Sequence, residues 1–187
     1  MFGKKNIKAQ PQDLEKAAIE LKNGSAEAFH LLYQEYNQKV YRFCLRLLED
    51  TNAAQDAFQE TFIKVFEHRK EFRGGNFTAW LFTIARHTCL NYIRAKKEFE
   101  TIDEALQIPD NIQESDIAVK DFIKIAISKL PINLKEAIIL REYQECSYQE
   151  IADILGIDLS LAKVRVHRAR LILRKLLKPI VKELYES

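Results

Sequence analysis

A short segment near the carboxyl end of the chain constrains the fold more than any other part of the sequence. Ser147 and Glu150 have the spacing of a capping box, in which a hydroxyl and a carboxylate satisfy free N–H groups at a helix start. Gly156 follows, and glycine takes the positive φ of a tight turn without a Cβ clash. A second helix is predicted after the turn, capped by Asp158 or Ser160. Two helices joined in this way predict a helix-turn-helix.

The second helix of this motif carries a charge pattern that predicts a negatively charged partner. From Lys163 to Lys182 it has eight Lys or Arg residues and no Asp or Glu, whereas a merely solvated face mixes both signs. Helical spacing turns Ala162, Val166, Ala169 and Leu176 inward. The first turns of such a helix reach base edges in a major groove, and later turns contact phosphates. The candidate DNA contacts are Ser160, Lys163, Val164, Arg165, His167, Arg168 and Arg170.

Side-chain chemistry divides these candidates into two groups. Lys163 and Arg168 can donate to guanine O6 and N7, and Val164 can contact a thymine methyl group. Arg165 and the later Arg174 are expected to contact phosphates. The alternative is a solvated helical face, which the coincidence of a capping box, a glycine turn and single-sign charge disfavours.

Apolar residues elsewhere recur at spacings of three and four, which predicts helices throughout and an all-α fold. Five Gly and four Pro are few for a β-rich chain, whose turns need them. Helices are expected over 12–22, 25–48, 52–68 and 77–96, with three or four more over about 120–182. Hydrophobic residues make up 47% of the chain, which is enough to form a core.

The composition changes in the middle of the chain and divides it into two helical units. Residues 98–119 hold seven Asp or Glu and no Lys or Arg, and Pro109 interrupts them. We interpret this segment as an acidic linker between a unit over 25–97 and a unit over 120–182. Residues 1–24 are expected to form a tail and a lead-in helix. Composition alone favours a solvated connector for the linker.

The sequence contains no pattern typical of a metal site, a membrane segment or an enzyme. Cys44, Cys89 and Cys146 are far apart and lack metal-ligand spacing, so we expect reduced thiols in a cytoplasmic protein. Neither a signal peptide nor a run of about 18 apolar residues is visible. Without a phosphate loop, a Ser/His/Asp set or an HExxH motif, we expect no catalysis, metal, cofactor or small-molecule substrate.

A second basic region lies in the first helical unit. Over 68–97, nine Lys, Arg or His residues stand against one acid, and aromatic residues are interleaved. Positive charge holds a nucleic-acid backbone, and aromatic rings stack on exposed bases at about 1–3 kcal/mol each. Helical spacing assigns Trp80 and Phe77 to packing, so Phe72 and Phe82 are the better candidates for a pocket that binds an extruded base.

Two stretches resemble the extracytoplasmic-function (ECF) group of the bacterial sigma-70 family. "LPINLKEAIILREYQECSYQEIADILGIDLSLAKVRVHRARLIL" resembles the family's domain four, and "DAFQETFIKVFEHRKEFRGGNFTAWLFTIARHTCLNYIRAKK" resembles its domain two. The similarity extends over about residues 25–178. A helix-turn-helix alone is a weak indication, because many regulators have one. The succession of "QETF", "FRGGNFTAWLFTIAR", an acidic linker and this domain four is specific.

The resemblance implies a sigma factor that binds core RNA polymerase and directs promoter-specific initiation. Domain two would bind the polymerase clamp and melt the −10 element, and domain four would bind duplex −35 DNA and the polymerase flap. The family also implies an anti-sigma partner, often a membrane protein, and a linker that threads toward the polymerase cleft. The implied clamp contacts are Asp56, Gln59 and Glu60, and the implied −10 contacts are Phe72, Arg73, Phe82, Arg86, His87, Asn91 and Arg94.

Two positions depart from the family's pattern. Family members often have Asn where this chain has His87, which predicts a changed base preference in the −10 element. They commonly have Thr where this chain has Leu161, whose side chain cannot donate a hydrogen bond to a phosphate. The alternative function is a helix-turn-helix regulator that binds a palindromic operator as a dimer, without polymerase.

Overall fold

The computed structural model describes residues 10–100 and 119–186, and the regular secondary structure within these ranges is helical. The all-α prediction is therefore confirmed. A single 3₁₀ turn at Arg69–Glu71 lies between α3 and α4. The helices are α1 (Pro11–Lys22), α2 (Ala26–Leu48), α3 (Thr51–Glu67), α4 (Phe77–Glu100), α5 (Val119–Ser128), α6 (Ile132–Tyr143), α7 (Tyr148–Leu155) and α8 (Leu159–Glu186).

The predicted helix-turn-helix is formed by α7 and α8. The Ser147 hydroxyl accepts from the Glu150 N–H at 3.2 Å, and the Glu150 carboxylate accepts from the Ser147 N–H at 2.7 Å. Gly156 ends α7 with a φ of 64°, in the left-handed region that favours glycine. Asp158, and not Ser160, caps α8, because its carboxylate accepts a backbone N–H of the first turn at 2.8 Å.

Helices α1–α4 form a first unit around an aromatic core. Helix α2 packs against α1, α3 and α4. The rings of Phe43 and Phe82 are 0% and 1% exposed, and their centroids lie 5.4 Å apart in an edge-to-face arrangement. Such a pair adds about 0.5–1.5 kcal/mol beyond the burial of its area. Ser25 caps α2, since its hydroxyl accepts from the Ala28 N–H at 3.1 Å.

Helices α5–α8 form a second unit in which α8 packs against the other three. Ala162, Val166 and Ala169 are all 0% exposed, which confirms the predicted inward face of α8. Helical spacing also predicts an inward Leu176, but its side chain is 36% exposed. The reason is length: α8 has 28 residues, against 12 in α6 and 8 in α7, so its last turns extend past those two helices.

Two features of the first unit differ from the sequence prediction. Helix α4 continues through Glu100, past the predicted start of the linker, because Lys96–Glu100 contains good helix formers and no Gly or Pro. The remainder of the predicted linker, residues 101–118, lies outside the described residues. Helical spacing also places Phe66 in the buried stripe of α3, but its side chain is 41% exposed.

The two units contact each other directly. Helix α4 packs against α7, and α2 packs against α6. Because α4 and the α7–α8 pair carry the two predicted DNA-binding surfaces, these contacts bring both surfaces to one boundary within the molecule.

Candidate nucleic-acid interface

The outward face of α8 is accessible over its first three turns. With Ala162, Val166 and Ala169 packed inward, most of the intervening side chains point away from α6 and α7. Five of the seven predicted −35 contacts lie on this face, exposed and without a competing ion pair among the described contacts: Ser160, Lys163, Val164, His167 and Arg168. Leu161, at 38% exposed, also lies at the surface.

Arg165 and Arg170, the other two predicted contacts of α8, have acidic neighbours on α6. Arg170 donates through Nη2 and Nε to one carboxylate oxygen of Glu142, at 2.6 and 2.9 Å. These bonds raise the pKa of the Arg170 guanidinium. Arg165 lies 3.7 Å from Glu136, and its side chain is only 19% exposed. Sequence reasoning did not anticipate either partner.

The prediction that Phe72 and Phe82 form a pocket for an extruded base is wrong, because both rings are buried. Phe72 and Phe82 are 3% and 1% exposed. The Phe72 ring packs 5.6 Å from Phe77 and 5.3 Å from Trp80, centroid to centroid, while Phe82 packs on α2. The helical period of α4 places Phe82 toward the core that Phe77 also joins, and Phe72, which precedes α4, packs on Phe77 in the same core. A ring so enclosed cannot stack on a base while the core is intact.

Polar side chains of the same region remain at the surface. Arg73, His87, Asn91 and Arg94 are exposed, and Arg94 donates to the Asn91 side chain at 3.4 Å. Partial burial lowers the pKa of His87, and the neighbouring Arg86 charge lowers it further. The imidazole is therefore neutral at pH 7 and offers one donor and one acceptor. This combination suits recognition of a base edge.

Arg86 occupies the boundary between the units. Its Nε and Nη2 donate to Glu136 on α6 at 2.8 and 3.2 Å, in a bidentate arrangement. Glu136 is 2% exposed and the adjacent Lys135 6%. Sequence reasoning missed both residues. The only available indication was a Lys-Glu pair at the start of the apolar helix "LKEAIILR", which is a weak one.

A third surface lies on α3, at the predicted polymerase contacts. Asp56 and Gln59 are exposed, and Glu60 is half-buried with its carboxylate 2.6 Å from the Lys64 ammonium. Beside Gln59 the structure has an open apolar groove of about 540 Å³ between α2 and α3. Sequence reasoning missed this groove, although the exposed Ile63 and the apolar stripe next to it could have indicated it. Its apolar lining consists of Phe29, Tyr33, Phe58, Phe62, Ile63 and Phe66.

The cysteines are buried, with free thiols at Cys44, Cys89 and Cys146. Burial raises the pKa of Cys146 to about 12, so this thiol is protonated at neutral pH. Within residues 10–100 and 119–186, no helix combines the length and apolar character needed to cross a membrane. The same ranges hold no cluster of three or more His, Cys, Asp or Glu arranged for a metal ion.

Comparison with known proteins assigns the two units to one family. Residues 32–99 match Sigma-70 region 2, and residues 124–173 match Sigma-70 region 4. The chain is 34% identical over 153 residues to the RNA polymerase sigma factor YlaC of Bacillus subtilis, covering 77% of this chain and 88% of that protein. It is 30% identical over 183 residues to the ECF RNA polymerase sigma factor SigW of the same species, covering 89% of this chain and 98% of that one.

A solved structure has the same fold. The sigma factor RpoE of Bartonella quintana, crystallised with the anti-sigma factor NepR, superposes with a TM-score of 0.69 at 27% identity. The superposition covers 82% of this chain and 98% of RpoE. The first helical unit matches region 2 of the family and the second matches region 4, in the same order along the chain. The chain therefore belongs to the ECF group of the sigma-70 family of RNA polymerase sigma factors.

Proposed function

We propose that this sigma factor binds core RNA polymerase through α3, reads −35 duplex DNA with α8 and opens the −10 element with the surface of α4. The observation that carries the proposal is the outward face of α8. It displays Lys163 and Arg168 at the surface while Ala162, Val166 and Ala169 are 0% exposed. A face so arranged presents cations and base-reading groups to a major groove without disturbing the core.

The −35 step is recognition of duplex DNA. Lys163 and Arg168 donate to guanine acceptors, and Val164, at 38% exposed, contacts a thymine methyl. Phosphate contacts from the later turns fix the register of the helix but carry no sequence information. This division makes the first two turns of α8 the determinant of promoter choice.

The −10 step is capture of an extruded base by polar side chains. His87 and Asn91 lie one turn apart on α4 and are both exposed, so they can hydrogen-bond the Watson–Crick edge of one base. Arg73 and Arg94 hold the backbone of the opened strand. Extrusion of a base costs a few kcal/mol, which a small number of such contacts and the polymerase together offset without ATP.

The polymerase contact combines polar and apolar groups. Gln59 and Glu67 border the groove between α2 and α3, Ile63 is 57% exposed within it, and Asp56 is exposed on the same helix as Gln59. An exposed apolar surface rimmed by polar groups is typical of a protein-protein contact. We expect Ile63→Asp and Gln59→Ala to weaken binding to core polymerase, measured by analytical size-exclusion. Gln55→Ala, on the same helix but outside the groove lining, serves as the matched control.

An anti-sigma factor is the regulatory partner that we propose for these surfaces. The similar RpoE of Bartonella quintana was crystallised in complex with such a partner, NepR. A protein that covers the groove of α3 or the face of α8 would prevent initiation by competition. Since this sigma factor acts on polymerase and promoter DNA, we place it in the cytoplasm.

The function is tested by transcription in vitro with core polymerase on a library of native upstream regions, read by sequencing. A sigma factor yields run-off RNA from a subset of the library and binds those promoters strongly only with polymerase present. If the protein instead binds a palindromic site alone and starts no RNA from any upstream region, the alternative regulator is correct.

A further inference from the structure

The boundary between the two units contains a buried carboxylate shared by two arginines. The Glu136 side chain on α6 is 3% exposed. It accepts two hydrogen bonds from Arg86 of α4, at 2.8 and 3.2 Å, and lies 3.7 Å from Arg165 of α8. We call these three residues the Glu136 cluster. It joins three helices, one from the first unit and two from the second.

The two arginines of the Glu136 cluster belong to the two DNA-binding surfaces. Arg86 lies on the −10 surface of α4, and Arg165 lies on the −35 helix α8. A carboxylate and a phosphate both bind guanidinium as charged, bidentate acceptors. Glu136 therefore occupies Arg86 with the same kind of bidentate interaction that a DNA backbone would make, and it attracts Arg165 as an ion pair at 3.7 Å. Their side chains are only 16% and 19% exposed.

Further contacts hold the units together around this cluster. The Lys135 ammonium donates to the Leu47 carbonyl at 3.1 Å and to the Glu49 carboxylate at 2.7 Å. It thus places a cation at the carboxyl end of α2, where the helix dipole favours positive charge. The Arg46 guanidinium lies 3.8 Å from the centroid of the Tyr143 ring. These contacts favour the same closed arrangement of the units.

A second hydrogen bond links the start of α4 to the start of α7. The Asn76 side chain donates to the Glu150 carboxylate at 2.7 Å, while its own amide oxygen caps α4 by accepting the Ala79 N–H at 3.0 Å. Burial raises the pKa of Glu150, but the hydrogen bonds from Ser147 and Asn76 outweigh it and lower the pKa overall. The carboxylate that receives this bond is therefore charged at neutral pH.

The closed arrangement excludes simultaneous binding of both promoter elements. Elements centred at −35 and −10 are about 25 base pairs apart, or roughly 85 Å at 3.4 Å per base pair. In the closed arrangement Arg86 and Glu136, on opposite units, are within 2.8 Å. The units must separate before α4 and α8 can occupy their elements together.

We propose that Glu136 is an autoinhibitory residue, which holds the two units closed and neutralises Arg86 and Arg165 until polymerase or promoter separates them. This inference rests on the proposed function. Removal of one partner from a buried ion pair leaves the other charge without compensation. Loss of the Glu136 charge therefore drives both arginines toward water, and the closed arrangement loses stability relative to the open one.

The first experiment compares Glu136→Gln with Glu142→Gln in the full-length protein. Glu142→Gln is the matched control, because it also removes a carboxylate of α6 from an arginine of α8 but leaves the boundary intact. Small-angle scattering measures the radius of gyration, and circular dichroism verifies the helical content. Binding to a random duplex of about 30 base pairs, followed over a salt series, counts the phosphate contacts.

We expect Glu136→Gln to increase the radius of gyration and to bind the random duplex about tenfold more tightly at low salt, with a salt slope steeper by about two units. Glu142→Gln should retain the wild-type dimensions and steepen the slope by about one unit at most. A folded Glu136→Gln protein with wild-type dimensions and wild-type duplex affinity would overturn the proposal.

A second experiment holds the units closed and does not depend on Glu136. Arg46→Cys and Tyr143→Cys place two thiols across the boundary, outside the DNA-binding residues, while the native cysteines are buried. A bismaleimide with a cleavable disulfide joins the new thiols over a span far shorter than the distance between promoter elements. Each preparation is assayed with core polymerase before and after cleavage by reductant, so the same molecules serve as their own control.

We expect the cross-linked protein to start at most a tenth of the RNA that the cleaved protein starts. Equal transcription before and after cleavage would refute the requirement for opening. If neither form transcribes, the proposed function fails. Scattering and duplex binding by Glu136→Gln then decide on their own whether Glu136 holds the units closed.

Discussion

Helices α8 and α4 both present basic surfaces, but they are built differently. Helix α8 buries small residues, with Ala162 and Ala169 at 0% exposed, and leaves Lys163 and Arg168 exposed on its outward face. Helix α4 buries Phe77 and Phe82, while polar side chains such as His87 and Asn91 are exposed. Under the proposed function, duplex recognition uses one regular helical face, whereas strand opening uses the polar side chains of α4 that are not packed into the core.

The assignment of aromatic rings to the core of the first unit is tested by Phe82→Ala. Since the Phe82 ring is 1% exposed and packs on Phe43, its loss should lower the free energy of unfolding by about 3–5 kcal/mol. Urea denaturation followed by circular dichroism measures this. Ile63→Ala, at a side chain 57% exposed, should change stability by only about 0.5 kcal/mol. If Phe82→Ala kept wild-type stability but failed to open promoters, Phe82 would instead belong to a base-binding pocket.

The division of α8 into base-reading and phosphate-binding turns is tested by a pair of variants. Lys163→Ala should cost about 1–3 kcal/mol on a cognate −35 duplex and relax specificity at one position. Arg174→Ala should weaken binding to all sequences equally and reduce the salt slope by about one unit. Fluorescence anisotropy of the holoenzyme on −35 variants at several salt concentrations separates these outcomes. Identical effects of the two substitutions would contradict the division.

The turn that orients α8 is tested by Gly156→Ala. A Cβ at this position meets no atom within 4 Å, so the cost comes from the φ of 64°. We expect a loss of about 1 kcal/mol in the free energy of unfolding, seen as a lower urea midpoint. Gly156→Asn should cost less, because Asn tolerates the left-handed conformation. Equal midpoints for Gly156→Ala and the wild type would show that the turn is not strained.

The polar −10 surface of α4 is tested by His87→Asn, which has the smallest expected effect on stability. An exposed substitution of this kind should change the free energy of unfolding by less than about 0.5 kcal/mol. It should nevertheless alter base preference at one −10 position, measured by transcription from a complete set of −10 variants. Equal activity of both proteins on every variant would remove His87 from the recognition surface.

Local patterns in the sequence predicted the second unit more accurately than the first. The capping box, the glycine turn and the inward face of α8 follow from interactions within about four residues, which the sequence displays directly. The position of Phe82 depends on α2, which approaches from 39 residues earlier through Phe43. Periodicity could not tell whether an aromatic residue on α4 faced that helix or solvent.

Sequence alone determined the helices, the capping box of α7, the single-sign face of α8 and the family, because each depends on local spacing or on motifs that stand in order along the chain. Only the tertiary structure decided which aromatic rings were buried and which arginines were paired. The contact between Arg86 and Glu136 joins residues 50 positions apart. Such a contact depends on how the two units pack, and neither residue's local sequence carries that information.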